Sequence, residues 1–251
     1  MLMRSGNRIG NDSVAGIVSL AALALLILAG ACHAVLLCFG KDGSLMSVLK
    51  AVLMPLLMLH VGGLIVRDGG GKIALRAVIL SLAFYCLGDI LLEMRGEGFF
   101  LGGLGAFLVG HVFLLGYFIR KSGKMGLADY GIMAAAVLLA VAFTFFVSPP
   151  GVMLYCVFAY ALALLLYPAI GISALLKCGR YPQERKAWAG IIAGGLLFAG
   201  SDFLIAMAAF MSKTFPGRGP VVMLTYLLAA FLLARGAWRL SVSGGELGKV
   251  L

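Results

Sequence analysis

The chain has 251 residues, of which 63% are hydrophobic and only 12% charged, and its mean hydropathy is +1.09. That balance excludes a water-soluble globular domain and reads as an all-α integral membrane protein. The formal charge of +10 sits in short basic clusters between apolar runs, with no interleaved aromatics outside them, which argues against nucleic acid as a partner.

Runs of about 20 apolar residues match the roughly 30 Å hydrocarbon core, where the backbone must satisfy its own hydrogen bonds as helices or closed barrels. The runs here are continuous rather than alternating, so they predict helices. Eight transmembrane spans are expected, at residues 14–39, 45–66, 72–92, 99–119, 127–147, 152–176, 186–211 and 220–240. The first is too long for a signal-peptide core and lacks a clear small-residue cleavage site, so it is read as a retained anchor. Gly, Pro and charge mark the breaks, as in Lys41-Asp42-Gly43, Arg67-Asp68-Gly69-Gly70-Gly71, Ser148-Pro149-Pro150-Gly151, Tyr181-Pro182 and Pro216-Gly217. No segment is long enough for a second, soluble domain, so residues 1–251 are expected to form a single transmembrane bundle.

With the N-terminus placed inside, the inner side collects Arg4, Arg8, Arg67, Lys72, Arg76, Arg120, Lys121, Lys124, Lys177, Arg180, Arg185, Lys186, Arg235, Arg239 and Lys249. That is fifteen of the twenty basic residues, leaving Lys41, Lys50, Arg95, Lys213 and Arg218 outside. The positive-inside rule therefore predicts both termini in the cytoplasm and an even number of spans. Gly102, Ala106 and Gly110 in span four, and Gly190 and Gly194 in span seven, provide smooth faces that predict central positions for these two helices.

Two aspartates, Asp89 and Asp202, lie within spans, where a carboxylate costs at least about 2.5 kcal/mol; they are read as the only acids buried so deeply, and as functional. Glu93, one turn beyond Asp89, is placed at the outer boundary, where solvation accounts for it. His33 and His60 stand alone on apolar runs and read as packed or interfacial. Ser81 and Ser201 share turns with the aspartates but lack any nucleophile motif, so interhelical hydrogen bonding is expected of them. Cys32, Cys38, Cys86, Cys156 and Cys178 are scattered without metal-ligand spacing and read as free, packed thiols. Gly69-Gly70-Gly71 lacks the strand and Lys-Ser/Thr ending of a phosphate cradle. Neither metal nor cofactor is expected.

Span three reads Ser81-Leu82-Ala83-Phe84-Tyr85-Cys86-Leu87-Gly88-Asp89, and span four contains Phe107-Leu108-Val109-Gly110-His111. Span seven contains Ser201-Asp202, and span eight carries Tyr226. In their order and spacing these four motifs resemble the YhhN family of multi-spanning lysoplasmalogenases, over nearly the whole chain from span two to span eight. That family usually opens span two with a Lys-Pro pair; here Lys50 is followed by Ala51, with Pro55 a turn later.

The resemblance implies hydrolysis of the vinyl-ether bond of a lysophospholipid, a lysoplasmalogen, to a fatty aldehyde and glycerophosphoethanolamine or glycerophosphocholine. It also implies catalytic roles for Asp89, Asp202, His111 and Tyr226, with Lys50 holding the substrate phosphate, in a protein of the bacterial inner membrane surrounded by membrane lipid. The residues allow that chemistry independently. A vinyl ether is cleaved after protonation of the carbon β to oxygen, and two carboxyl groups in a low-dielectric site can divide the roles of proton donor and charge stabiliser. Counting about 1.5 Å per residue puts Asp89 near the outer end of its span, with Asp202 and Tyr226 somewhat deeper from the same side, in reach of a shared outer-half cavity. His111 comes out at or past the midplane. The competing reading is a proton-coupled membrane transporter of a small or lipidic solute, against which stands the lack of an internal repeat or paired broken helices.

Overall fold

Apolar runs that offer the backbone no hydrogen-bond partner but itself fold here as eight helices: α1 (Met3–Cys38), α2 (Ser44–Arg67), α3 (Lys72–Glu93), α4 (Glu97–Lys121), α5 (Leu127–Val147), α6 (Met153–Lys177), α7 (Pro182–Met211) and α8 (Arg218–Leu247). The computed structural model describes residues 3–40, 43–94, 96–178 and 182–247, with side chains described over 13–40, 43–94, 96–178 and 182–243. Lys41, Asp42, Arg95, Arg180, Tyr181 and Lys249 lie outside the described residues, and so do the side chains of Arg4 and Arg8. Among the described residues there is no strand, and all eight helices are long and apolar enough to cross a membrane.

The helix limits follow from local chemistry. Helix α7 begins at Pro182, before the expected Lys186, because proline fits the first helical position and Glu184 in the first turn complements the positive end of the dipole. Arg67 ends α2, Arg120 and Lys121 end α4, and Lys177 ends α6, each set against the negative end of its helix dipole. These cations therefore gather at one end of the bundle.

Neighbours in sequence pair in space, α1 with α2, α3 with α4 and α7 with α8, and α6 packs between α4, α5 and α7. The core is aromatic where these helices meet: Tyr85, Phe118, Tyr167 and Phe198 are fully buried. Helices α1 and α5 leave most of their apolar surface exposed, as lipid-facing helices do. His60 is a packed histidine that joins α1 to α2, with Nδ1 3.0 Å from both the hydroxyl and the carbonyl oxygen of Ser19 and its ring stacked on Phe231.

Only some of the small residues make the close approaches expected of them. A Cβ at Gly110 would lie 2.7 Å from the Tyr85 ring and 2.8 Å from the Ser81 carbonyl, and one at Gly194 would lie 3.1 Å from the Ala229 carbonyl. By contrast Gly190 faces open space and Gly102 has room for a side chain. Close approaches of α6 and α7 fall at Gly195, where a Cβ would lie 2.5 Å from Tyr167 Cβ, and at Gly171, where one would lie 2.6 Å from Ile192.

Three further expectations are corrected. Asp89 and Asp202 are not the only acids set into the bundle: Asp129, in the first turn of α5, is 5% exposed, as deeply buried as Asp89, while Asp202 is only partly buried. Its carboxylate accepts hydrogen bonds from the Gly126 amide (2.7 Å), Ser173 Oγ (2.5 Å) and Lys177 Nζ (3.0 Å), so the burial is fully compensated and ties α5 to α6. Ser81 makes no interhelical hydrogen bond among the described residues. The cysteines are all free, but Cys32 and Cys38 are exposed on α1 rather than packed, since that helix is covered on one side only.

Replacing Gly110 with Val is expected to destabilise the bundle by about 1–3 kcal/mol, because the α3 backbone on the other side cannot recede. Gly116→Ala, into open space on the same helix, should change stability by less than about 0.5 kcal/mol or raise it slightly. Thermal unfolding of the two purified variants in detergent checks the difference.

Candidate active site

A cavity of about 620 Å³ opens within the bundle towards the end where α1, α3, α5 and α7 terminate, opposite the cation-rich end. All eight helices contribute to its wall. Most of the lining is apolar, including Leu139, Phe143, Leu164 and Phe203, and the polar groups are few: His33, Lys50, Asp89, Glu93, Tyr160, Ser201, Asp202 and Tyr226. A mostly apolar pocket with a small set of convergent polar groups has the character of a ligand site.

Asp89 is carried by the last turns of α3 and is 4% exposed. Its Oδ2 accepts a hydrogen bond of 2.7 Å from the Tyr226 hydroxyl on α8, and its Oδ1 lies 3.7 Å from Lys50 Nζ on α2. Lys50 in turn donates to Glu93 Oε1 at 2.8 Å, and Ser47 donates to Glu93 Oε2 at 3.4 Å. Glu93 and Asp89 are four residues apart and so share a helix face, which is why one cation serves both. The Tyr226 ring is held edge-on against Phe198 and Phe107, with centroids 5.3 and 5.9 Å away, so its hydroxyl has little freedom to leave Asp89.

Asp202, on α7, faces the same cavity with a different set of partners. Its Oδ2 accepts a short hydrogen bond from the Tyr160 hydroxyl on α6, and no cation pairs with it among the described residues. The neighbouring Ser201 donates to the Val222 carbonyl at 3.1 Å, the interhelical bond expected of it, and so fixes α7 against α8 beside the aspartate. Of the three carboxyl groups on the cavity wall, Asp89 and Asp202 each accept from one phenol, and of these two only Asp89 has a countercharge within reach.

His111 does not line the cavity. It is fully buried behind the wall, with Nδ1 2.6 Å from the Tyr85 hydroxyl and 3.0 Å from the Tyr167 hydroxyl. Its ring packs edge-on to Tyr160 at 5.6 Å and Phe198 at 4.7 Å. Through those rings His111 supports the phenol that holds Asp202, but it contacts neither aspartate.

The structure brings four of the five residues expected from sequence, Lys50, Asp89, Asp202 and Tyr226, to one chamber, and adds four polar residues to its wall, Ser201 with its hydroxyl spent on Val222 and three others, Tyr160, Glu93 and His33. Tyr160 had a signal: it lies seven residues before Tyr167, so the two share one face of α6, and that face points inward. Glu93 shares the helical face of Asp89, yet its position near the end of the span concealed its place on the wall. His33 had no sequence signal, because nothing in α1 marks which of its faces meets the cavity.

No curated protein and no solved structure matches the chain. A family model described as the YhhN family matches residues 45–237, from the first turn of α2 into α8, a stretch that includes Lys50, Asp89, His111, Tyr160, Asp202 and Tyr226. This match covers most of the chain, and the chain therefore belongs to the YhhN family.

Proposed function

We propose that the protein is a lysoplasmalogenase-type ether hydrolase, cleaving the vinyl-ether bond of a lysophospholipid that it takes from the surrounding bilayer. Its family is associated with hydrolase activity. The observation that carries the finer reading is the pairing of Asp89 and Asp202 on one largely apolar wall, with a countercharge beside Asp89 alone. A single-chain lipid can enter such a chamber sideways between helices, its tail against Leu139 and Phe143 and its head group towards the polar end.

The chemistry divides between the two carboxyl groups. Asp202, with a phenol partner and no cation, gives its proton to the alkenyl carbon β to oxygen. The resulting oxocarbenium ion is attacked at the carbon bearing oxygen by water, which passes a proton to Asp89, held as a carboxylate by Lys50 and Tyr226. In the hemiacetal so formed the hydroxyl proton returns to Asp202 while the bond to the glycerol oxygen breaks and that oxygen takes the proton from Asp89. One water is consumed, aldehyde and glycerophospho head group leave, and both carboxyl groups regain their starting states. Lys50 also faces the position of the phosphate, and His111 acts on Asp202 only through the packing of Tyr160.

The basic ends of α2, α4 and α6 support a position with both termini in the cytoplasm, in a membrane of the bacterial inner type. A reporter fused after Leu251 checks this: a fluorescent protein should fluoresce and a periplasm-dependent phosphatase should stay inactive, with the opposite pair of results reversing the orientation.

Asp89→Asn and Asp202→Asn are each expected to lower vinyl-ether cleavage by about 10²–10⁴-fold, the usual contribution of general acid–base groups. Aldehyde release from a lysoplasmenyl lipid by purified protein in detergent, with the saturated ether analogue as control, measures it. An undiminished rate in either variant would remove that residue from the mechanism. Solute movement in sealed vesicles without aldehyde release would favour the proton-coupled carrier.

A further inference from the structure

The cavity's polar end has more recognition chemistry than the cleavage requires. His33 on α1, Lys50 on α2 and Glu93 at the end of α3 converge there from three helices. His33 is 4% exposed, lines the cavity and has Nδ1 buried with no hydrogen-bond partner among the described residues. A buried ring nitrogen on a cavity wall without a partner is a group waiting for a ligand atom or a water. Helix α1 precedes the residues matched by the family model, so the family assignment says nothing about this histidine.

We infer that this cluster is a subsite for a zwitterionic phospho-amine head group, in which Lys50 and His33 take the phosphate and Glu93 takes the ammonium; the inference rests on the hydrolase reading for the identity of the lipid. Lys50 and Glu93 satisfy each other at 2.8 Å, with side chains 19% and 44% exposed. A ligand bearing both charges exchanges for that pair without leaving either residue uncompensated. A purely anionic ligand that claims Lys50 leaves the half-exposed Glu93 carboxylate without its cation, with only the Ser47 hydroxyl beside it, a modest cost that disfavours that ligand. The neutral imidazole of His33 contributes a hydrogen-bond donor to phosphate without altering the charge balance.

Register supports the assignment. Asp89 lies one helical turn, about 6 Å, below Glu93 on the same face of α3. A head group at Glu93 therefore places the glycerol unit, and the first atoms of the chain attached to it, beside the carboxylate pair. Glu93 also distinguishes between amines. A primary ammonium donates N–H hydrogen bonds to the carboxylate, whereas a trimethylammonium has none to give, so ethanolamine lipids should bind more tightly than choline lipids.

Saturated ether lysolipids, which the enzyme cannot cleave, allow binding to be measured apart from the reaction. Calorimetry on the purified full chain in detergent would compare alkyl-glycerophosphoethanolamine, alkyl-glycerophosphocholine and the amine-free alkyl-glycerophosphate. The expected order of affinity is ethanolamine, then choline, then the amine-free lipid. Glu93→Gln should weaken ethanolamine-lipid binding by about tenfold and abolish the preference, while His33→Ala should weaken all three by a similar factor and His33→Asn, which keeps a donor, should restore much of it. Unchanged dissociation constants in Glu93→Gln and His33→Ala, or equal affinity of the unaltered protein for all three lipids, would overturn the subsite. Displacement of the lipid by soluble phosphoethanolamine at equal concentration would overturn its assignment to a membrane lipid. Selective binding by a protein that releases no aldehyde would leave the subsite standing and remove the hydrolase, whereas aldehyde release with unselective binding would do the reverse.

Discussion

A membrane interior has no water to compensate a charged group, so a carboxyl group within this bundle must find its partners in the protein or lie on a cavity that admits them. Asp129, Asp89 and the partly buried Asp202 show the two ways of meeting that demand. Asp129 accepts from an amide, a hydroxyl and an ammonium and is saturated, so it has nothing left for chemistry and serves to hold α5 and α6 together. Asp89 and Asp202 keep part of their hydrogen-bonding capacity directed into a shared chamber. What separates a structural acid from a candidate catalytic one here is incomplete satisfaction beside open space.

The same distinction runs through the other polar clusters. Asp68 accepts from Arg67 Nε at 2.7 Å and from Trp238 Nε1 at 3.0 Å, pinning the turn after α2 to α8 at the cation-rich end. His60 is consumed by Ser19. These groups lie away from the cavity and make the bundle rigid around it. The cluster of His33, Lys50 and Glu93 instead borders the cavity, and its internal ion pair is of the kind that a ligand of matching charges can exchange.

Between the two ends lies an aromatic layer, Tyr85, Phe107, His111, Phe198 and Tyr226, whose tilted and edge-to-face contacts leave few alternative rotamers. Glycines allow this layer to form: Gly88 admits the Phe107 ring and Gly110 admits Tyr85, each at a distance that a side chain would block. The layer fixes the Tyr226 hydroxyl and the ring of Tyr160, and with them the orientations of both aspartates. In this way His111, which does not reach the cavity, still bears on its geometry.

Eight helices and two costly aspartates were legible in the chain itself, because a run of apolar residues long enough to cross a bilayer has one backbone solution and a carboxyl group within it stands out from its neighbours. The motif around Tyr226 also led to the cavity. The motif around His111 led to a residue behind the wall, since spacing along a helix measures depth but not the direction in which a side chain looks. Glu93 and His33 became visible as members of the site only in three dimensions, and the spacing of Tyr160 to Tyr167 marked a shared helix face without saying that it meets the cavity. Their positions depend on how α1, α3 and α6 rotate against their neighbours, and that rotation is set by packing across helices distant in sequence, by a glycine under an aromatic ring or a hydroxyl on a carbonyl, rather than by anything local to the residues themselves.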